Sequence, residues 1–220
     1  MTADLTDLDI IYNPDEGVFQ NARTGQVVPK TDIQLEINRE IARVARKLQS
    51  ITQAMTDGKI TLEEWQKQFI AILKDSHLQM AAFGAGGAEQ LDTEHFQYIG
   101  FQLKQEYDAL EGFVAALIAG SLTLAQALRR AGMYAESIRL SFNQADWVTH
   151  VRDGFEGARS LSVAQHCRQC PDYDTGGDFL PADQIVPIGA DCDCRRNCKC
   201  FIVWRKRNLS ALPGGLLAAA

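Results

Sequence analysis

The residues of this chain whose types and spacing could do chemistry are its six cysteines, all of which lie within residues 167–200. Two form a Cys-x2-Cys pair, and the other four follow between residues 192 and 200 as Cys-x-Cys-x3-Cys-x-Cys. Two cysteine groups separated in this way are typical of a small loop-rich module that closes around one tetrahedral Zn²⁺ ion. We expect a structural zinc site, because catalytic zinc needs an open coordination position and usually has His or carboxylate ligands.

One zinc ion takes four thiolates, so its ligands must be chosen among six cysteines. The candidate metal ligands are Cys167, Cys170, Cys194, Cys198 and Cys200. Cys192 is the expected spare, because the three later cysteines lie within seven residues, where a turn and a following strand place sulfurs on one face. A Cys167–Cys170 or Cys192–Cys198 disulfide is the alternative. Reduced thiolates are favoured, because residues 1–30 show neither the basic nor the apolar part of a secretory signal.

Length and composition restrict the class of protein. With 220 residues, 46% of them apolar, the chain can form one ordinary domain and a small module. No stretch approaches the roughly 20 consecutive apolar residues of a membrane span, so no membrane association is expected. Nucleophile-elbow, phosphate-loop and dinucleotide-binding motifs are missing, and the sequence predicts a protein that is not an enzyme.

The strongest local charge is a basic stretch over residues 195–207, which holds six Arg or Lys residues and no acid although the formal net charge is −6. Its last part, Arg205-Lys206-Arg207, is a candidate for a weak contact with DNA. A solvated surface is the alternative interpretation. A zinc module that binds nucleic acid is therefore one functional hypothesis.

The order of patterns predicts a mainly α fold, namely a helical bundle with a short N-terminal β-hairpin arm and a small Cys-rich, zinc-binding C-terminal module. The predicted parts are an arm over 1–30, a helical core over 31–153, the Cys-rich module over 154–208 and a tail over 209–220. In the arm, strands are expected at Ile10–Tyr12, Val18–Gln20 and Gln26–Val28, with a turn at each intervening Gly segment.

Four helices are predicted in the core. In the first, apolar residues recur every three or four positions from Ile33 to Ile51, with Thr31 or Asp32 as the cap. A Thr-x-x-Glu capping box at Thr61 opens the second helix, which ends near Phe83. The third is expected over 93–119 and the fourth over 123–150.

Isolated polar and aromatic residues on these helices are interpreted as structural. His77, His95 and His150 have no second ligand at metal spacing, so we expect them to be surface or half-buried residues with satisfied hydrogen bonds. The aromatic residues Trp65, Trp147 and Tyr134 occupy positions typical of a core.

Several short stretches together resemble the minor head proteins of tailed phages and prophages, which belong to a broad head-morphogenesis family. The stretches are Gly-Lys-Ile-Thr-Leu-Glu-Glu-Trp (58–65), Arg-Ala-Gly-Met-Tyr-Ala-Glu-Ser-Ile-Arg (130–139), Cys-Arg-Gln-Cys (167–170), Ile-Val-Pro-Ile-Gly (185–189) and Cys-Arg-Arg-Asn-Cys-Lys-Cys (194–200). The resemblance covers residues 55–205. Two features depart from it: a His-Pro that some members carry before the last cysteine pair is missing, and Cys192 is extra.

The resemblance implies a structural component of the virion, assembled in the host cytoplasm and located at the portal vertex or in the capsid. Its partners would be portal, capsid or neck proteins and further copies of itself. A head–tail adaptor or connector ring protein is the alternative within this class. The resemblance also implies that the Cys-rich module is stapled by a metal ion.

Overall fold

The structure is a computed structural model that describes residues 10–161, 167–189, 192–198 and 200–207. In this part of the chain a β-hairpin is followed by five α-helices and then by a three-stranded sheet interspersed with short 3₁₀ turns. The predicted fold class is confirmed, since the chain is mainly helical, with an N-terminal hairpin and a Cys-rich C-terminal region that could hold a metal ion. The predicted tail over 209–220 lies outside the described residues.

The hairpin consists of β1 (Ile10–Asn13) and β2 (Val18–Asn21), which pair antiparallel. The side chain of Asn13 accepts hydrogen bonds from the backbone N–H groups of residues 15 and 16 in the connecting turn. The third strand expected at Gln26–Val28 is reduced to a single bridge between Gln20 and Val27. Phe19 lies 5.3 Å, between ring centroids, from Phe83 of the helical core. The described part of the arm is therefore packed onto the core.

The helix α1 (Lys30–Thr56) carries the predicted apolar seam on its buried face. The buried members are Ile33, Ile37, Ile41, Val44 and Leu48. The predicted cap is wrong: the helix is preceded by Pro29, and no side chain caps it. The helix begins at Lys30, two residues earlier than a Thr31 cap would place it, and Pro29 before it has the extended backbone of a residue that precedes a helix (φ −58°, ψ 144°).

The next two helices begin with capping boxes. Thr61 caps α2 (Leu62–Ala85) together with the side chain of Glu64, as predicted. Asp92 caps α3 (Thr93–Ile118) together with His95. The boundaries of both helices agree with the prediction to within two residues.

The predicted fourth helix is divided in two, α4 (Leu124–Met133) and α5 (Ile138–Arg152), by a 3₁₀ turn over Tyr134–Ser137. The hydroxyl of Ser137 donates a 2.6 Å hydrogen bond to the carbonyl of Tyr134, which stabilises the tighter turn. This contact redirects the chain, and α5 then packs along α2. The backbone carbonyl of Phe142 on α5 closely approaches Gly84 of α2.

The predictions for the aromatic residues are largely confirmed. The predicted exposure of the three histidines is wrong. Trp65 and Tyr134 are buried in the core, and Trp147 is half-buried where α5 meets the C-terminal region. All three helical histidines are fully buried with hydrogen-bonding partners, His77 on α2, His95 on α3 and His150 on α5. The periodicity did not show this, because a hydrogen-bonded imidazole can be buried at a polar position of the pattern.

The C-terminal region is built on a sheet in which β3 (Phe155–Ser160) lies between β4 (Leu180–Pro181) and β5 (Phe201–Lys206). Both pairs are antiparallel, and Gly157 on β3 lies opposite Trp204 on β5. A Cβ at Gly157 would lie 2.4 Å from the Trp204 ring, so glycine allows the indole to cover the strand.

Two indole groups attach this region to α5. Trp147 of α5 donates to the carbonyls of Ala182 and Ile185, at 3.1 and 2.8 Å. In the other direction, Trp204 donates to the Asp146 carboxylate at 2.7 Å and stacks on the His150 ring. The Cys-rich region is therefore held against the core by partly buried, directional contacts. None of the helices in the described ranges is long and apolar enough to cross a membrane.

Candidate metal centre

Three short segments of the C-terminal region bring the cysteines together. Cys167 and Cys170 lie at the start of a 3₁₀ turn over Cys170–Tyr173. Cys192 and Cys194 precede a second such turn at Arg195–Asn197, and the last two cysteines lead into β5. β3 and β5, at the two ends of this region, pair over six residues. The pairing brings the cysteine segments between them close together.

Four sulfurs form one group. The Sγ atoms of Cys167, Cys170, Cys192 and Cys194 all lie within 4.8 Å of one another. Two of these distances are 3.4 Å, from Cys167 to Cys170, and 3.6 Å, from Cys170 to Cys194. Sulfurs at the corners of a tetrahedron around a metal ion, with bonds of about 2.3 Å, are about 3.8 Å apart. The four sulfurs could therefore hold one metal ion.

A second group consists of Cys170, Cys198 and Cys200, whose Sγ atoms also lie within 4.8 Å of one another. Cys170 thus belongs to both groups. All three residues of the second group are buried. All six cysteines are free thiols in the structure, and neither of the two disulfides considered above is present.

Backbone contacts fix the segments that carry the sulfurs. The N–H of Cys167 donates to Cys194 Sγ at 3.2 Å, so the two cysteine segments touch directly. The side chain of Gln169 accepts from the N–H of Asp193 at 2.9 Å and joins the same two segments a second time. Arg195 has a φ of +43°, an uncommon value for a residue with a side chain. This backbone turn redirects the chain between Cys194 and Cys198.

The environment of the sulfurs opposes charge on three of them. Burial, followed by contact with the sulfurs of Cys167 and Cys194, raises the pKa of the Cys170 thiol far above its usual range. Burial also raises the pKa of Cys194, and it raises that of Cys198 to about 12. For Cys167 burial acts in the same direction, but hydrogen bonds with Cys194 and Cys170 outweigh it and lower its pKa to about 6. The surroundings of Cys170, Cys194 and Cys198 therefore favour the protonated thiol, and a cation bound by these sulfurs would displace the protons.

The structure places the predicted ligands in two groups. Cys167, Cys170 and Cys194 belong to the four-sulfur group, and Cys198 and Cys200 lie beside Cys170 in the three-sulfur group. The fourth sulfur of the first group belongs to Cys192, which the sequence suggests is the spare. Spacing does not decide between the later cysteines, since Cys192-x-Cys194 has the same spacing as Cys198-x-Cys200.

The basic residues at the end of β5 are partly neutralised. Arg205 forms an ion pair with Glu156 at 3.0 Å and lies over the Phe179 ring at 3.9 Å from its centroid. Arg207 is 3.9 Å from the same carboxylate, and Lys206 is 4.0 Å from Asp15. All three side chains are exposed, and each has an acidic neighbour.

Sequence reasoning missed a buried polar cluster in the helical core. The Nδ1 atom of His77 lies 2.7 Å from Ser141 Oγ, and its Nε2 atom lies 3.2 Å from Glu106 Oε2. The other carboxylate oxygen of Glu106 has no hydrogen-bonding partner in the described structure. The cluster ties α2, α3 and α5 together. No sequence signal could have found it, because the three residues come from distant parts of the chain.

The fold and the site define a class: a mainly helical protein with a cysteine-rich region that could hold a metal ion. Comparison with known proteins found no match among family models, curated proteins or solved structures.

Proposed function

We propose that the four-sulfur group holds a structural Zn²⁺ ion, with Cys167, Cys170, Cys192 and Cys194 as its ligands. The observation that carries this proposal is the mutual approach of four sulfurs to within 4.8 Å, from two segments that also share backbone contacts. Four thiolates complete a tetrahedral shell and leave no position for a substrate. The ion would fix the Cys-rich region in the form that docks on α5.

Zinc fits this geometry better than an iron–sulfur cluster. Both are bound by cysteine thiolates. A cluster places several iron and sulfide atoms between its cysteine ligands, so the cysteine sulfurs must lie farther apart than around a single ion. The distances of 3.4 and 3.6 Å are those of sulfurs that share one ion.

Metal analysis of the protein purified under reducing conditions tests this proposal. We expect at least one equivalent of zinc per chain and, after exchange for Co²⁺, the absorption spectrum of a tetrahedral thiolate site. Zinc-free protein with paired cysteines in non-reducing mass spectrometry would contradict the proposal. Iron with visible sulfide-to-iron absorption would contradict it as well.

Serine variants test which cysteines are the zinc ligands. Cys192→Ser should weaken zinc binding as strongly as Cys194→Ser, because both sulfurs belong to the four-sulfur group. If Cys192→Ser bound zinc like the unaltered chain, the set suggested by the sequence, with Cys192 as the spare, would apply instead.

We also propose that the protein is a structural component of a tailed-phage head, acting at the portal vertex or in the capsid through contacts with other proteins. The resemblance to minor head proteins motivates this proposal. The structural observation that supports it is the exposure of two large aromatic residues on α3, Phe96 at 51% and Phe101 at 58%. Large aromatic residues of this kind are enriched where proteins contact one another. A connector ring protein is the alternative that uses the same contacts.

Binding to portal rings tests the assembly role. We expect the protein to sediment with portal or capsid assemblies encoded beside its own gene, and Phe96→Ser with Phe101→Ser to abolish sedimentation. The matched control is Gln97→Ala, an exposed residue of the same helix turn. Sedimentation that is unaffected by the double change would show that α3 is not the contact.

The basic residues at the end of β5 allow the alternative function, DNA binding, to be tested. The acidic neighbours of Arg205, Lys206 and Arg207 reduce the positive potential that DNA binding requires, so we favour protein partners. Replacement of all three by Ala should leave portal binding intact. Salt-sensitive DNA binding that is lost in this triple variant, without any affinity for portal or capsid proteins, would favour the zinc module that binds nucleic acid.

A further inference from the structure

The sulfur of Cys170 occupies a special position among the six cysteines. It lies within 4.8 Å of the other three sulfurs of the first group and of both sulfurs of the second. A single tetrahedral ion uses four thiolates, so the zinc site proposed above leaves Cys198 and Cys200 without a role. These two residues are nevertheless buried beside Cys170, at 2% and 6% exposure.

We propose that the cysteines form a binuclear metal site in which the Cys170 thiolate bridges two divalent ions. The first ion is held by Cys167, Cys170, Cys192 and Cys194. The second is held by Cys170, Cys198 and Cys200, and its fourth position is completed by a water molecule or another small donor. This inference rests on the zinc site proposed above and adds a second ion to it.

A thiolate can bridge because its sulfur has more than one lone pair, so one sulfur can complete two coordination shells. A second ion also gives the second group a role. With one four-thiolate ion, Cys198 and Cys200 would be buried thiols that make only weak hydrogen bonds, whereas a second cation uses both sulfurs. Six thiolates with two divalent ions carry the same formal charge as four thiolates with one.

The position of the second group gives the additional ion a structural task. Cys198 and Cys200 lead directly into β5, which pairs with β3 and carries Trp204 against α5. The first ion joins the two early segments of the region, and the second would tie this pair of segments to the last strand. Because both ions share the Cys170 sulfur, all three segments would be held in one binuclear site.

Metal stoichiometry is the first test. The full chain is loaded with Zn²⁺ under reducing conditions and passed over a weak chelating resin that removes loosely held metal. Native mass spectrometry and elemental analysis should then give about two ions per chain. One ion per chain would overturn the binuclear site and leave the proposed zinc function intact. A metal-free chain would overturn both.

Cadmium spectroscopy tests the bridge itself. In protein loaded with ¹¹³Cd²⁺ we expect two resonances that split each other through the Cys170 sulfur. Two resonances without mutual splitting would overturn the bridge, because the ions would then occupy independent sites.

Two sets of variants keep the test independent of folding failure. Cys198→Ser with Cys200→Ser should reduce the content from about two ions to about one and leave one unsplit cadmium resonance. Cys192→Ser is the matched control, since it lies in the first group only and should weaken the other ion. Unchanged stoichiometry in the Cys198/Cys200 double variant would contradict the second site.

Discussion

Two glycines inside helices of this protein have opposite surroundings. A Cβ on Gly84 of α2 would lie 2.2 Å from the backbone carbonyl oxygen of Phe142, and this oxygen belongs to the α5 helix and cannot rotate away. A Cβ on Gly100 of α3 would have no atom within 4 Å. Gly84 is therefore required by helix packing, whereas Gly100 only adds conformational entropy to the unfolded chain.

We predict that Gly84→Ala lowers the free energy of unfolding by about 1–3 kcal/mol, because α2 and α5 have to move apart. Gly100→Ala should raise it by up to about 1 kcal/mol, because alanine favours the helix and meets no neighbour. Urea denaturation followed by circular dichroism measures both changes. Equal effects of the two substitutions would show that helix propensity, rather than the close approach of α5, determines how the substitution at Gly84 changes the free energy of unfolding.

At the scale of the elements, local patterns predicted the helices and long-range contacts decided the site. The seam from Ile33 to Leu48 and the capping box of Thr61 with Glu64 depend on residues within a few turns, so they could be read directly. The 3₁₀ turn at Tyr134–Ser137 could not be predicted in this way. It depends on the hydrogen bond from the Ser137 hydroxyl to a backbone carbonyl, within a sequence pattern that is helical throughout.

The grouping of the cysteines illustrates the same limit. Sequence spacing identified the cysteine-rich region and the expected metal chemistry. Which sulfurs meet is set by the pairing of β3 with β5 and by the contact between Gln169 and Asp193. Neither contact leaves a trace in the spacing of the cysteines, so spacing alone could not assign Cys192 to a group.

We predict that removal of metal by a chelator under reducing conditions loosens the region from Phe155 to Arg207 and leaves α1 to α4 folded. The core helices are held by their own apolar cluster, whereas the cysteine segments have little regular structure of their own. Hydrogen exchange followed by mass spectrometry should show faster exchange in the sheet and on the face of α5 that carries Trp147. Equal acceleration in α1 and α2 would mean that the two parts unfold as one.

At the scale of the whole molecule, the described part of the N-terminal arm belongs to the body of the protein. The ring of Phe19 packs against both Phe83 and Phe142, and the hydroxyl of Tyr12 lies 3.2 Å from His150 Nε2. His150 in turn stacks on Trp204. The arm, the core and the C-terminal sheet therefore meet around one buried imidazole.

Truncation of the arm tests this junction. A chain that begins at residue 22 lacks Tyr12 and Phe19, and we predict that its unfolding temperature falls by several degrees, since a loss of 1 kcal/mol corresponds to roughly 2–4 °C in a chain of this size. A chain that begins at residue 10 is the control, because it retains every contact described for the arm. Calorimetry compares the two. Equal unfolding temperatures would show that the arm contributes nothing to the stability of the core.

The order of the elements along the chain has a consequence for synthesis. The hairpin and all five helices are complete at Arg152, whereas β5, the last strand described, ends at Lys206. A ribosome therefore releases the entire core before the strand that anchors the C-terminal region exists. Until then, Asp146 and His150 on α5 lack the Trp204 indole that bonds to one and stacks on the other in the finished protein. A chain that stops before residue 201 would leave this part of α5 uncovered, so chaperones and proteases could distinguish incomplete copies from finished ones.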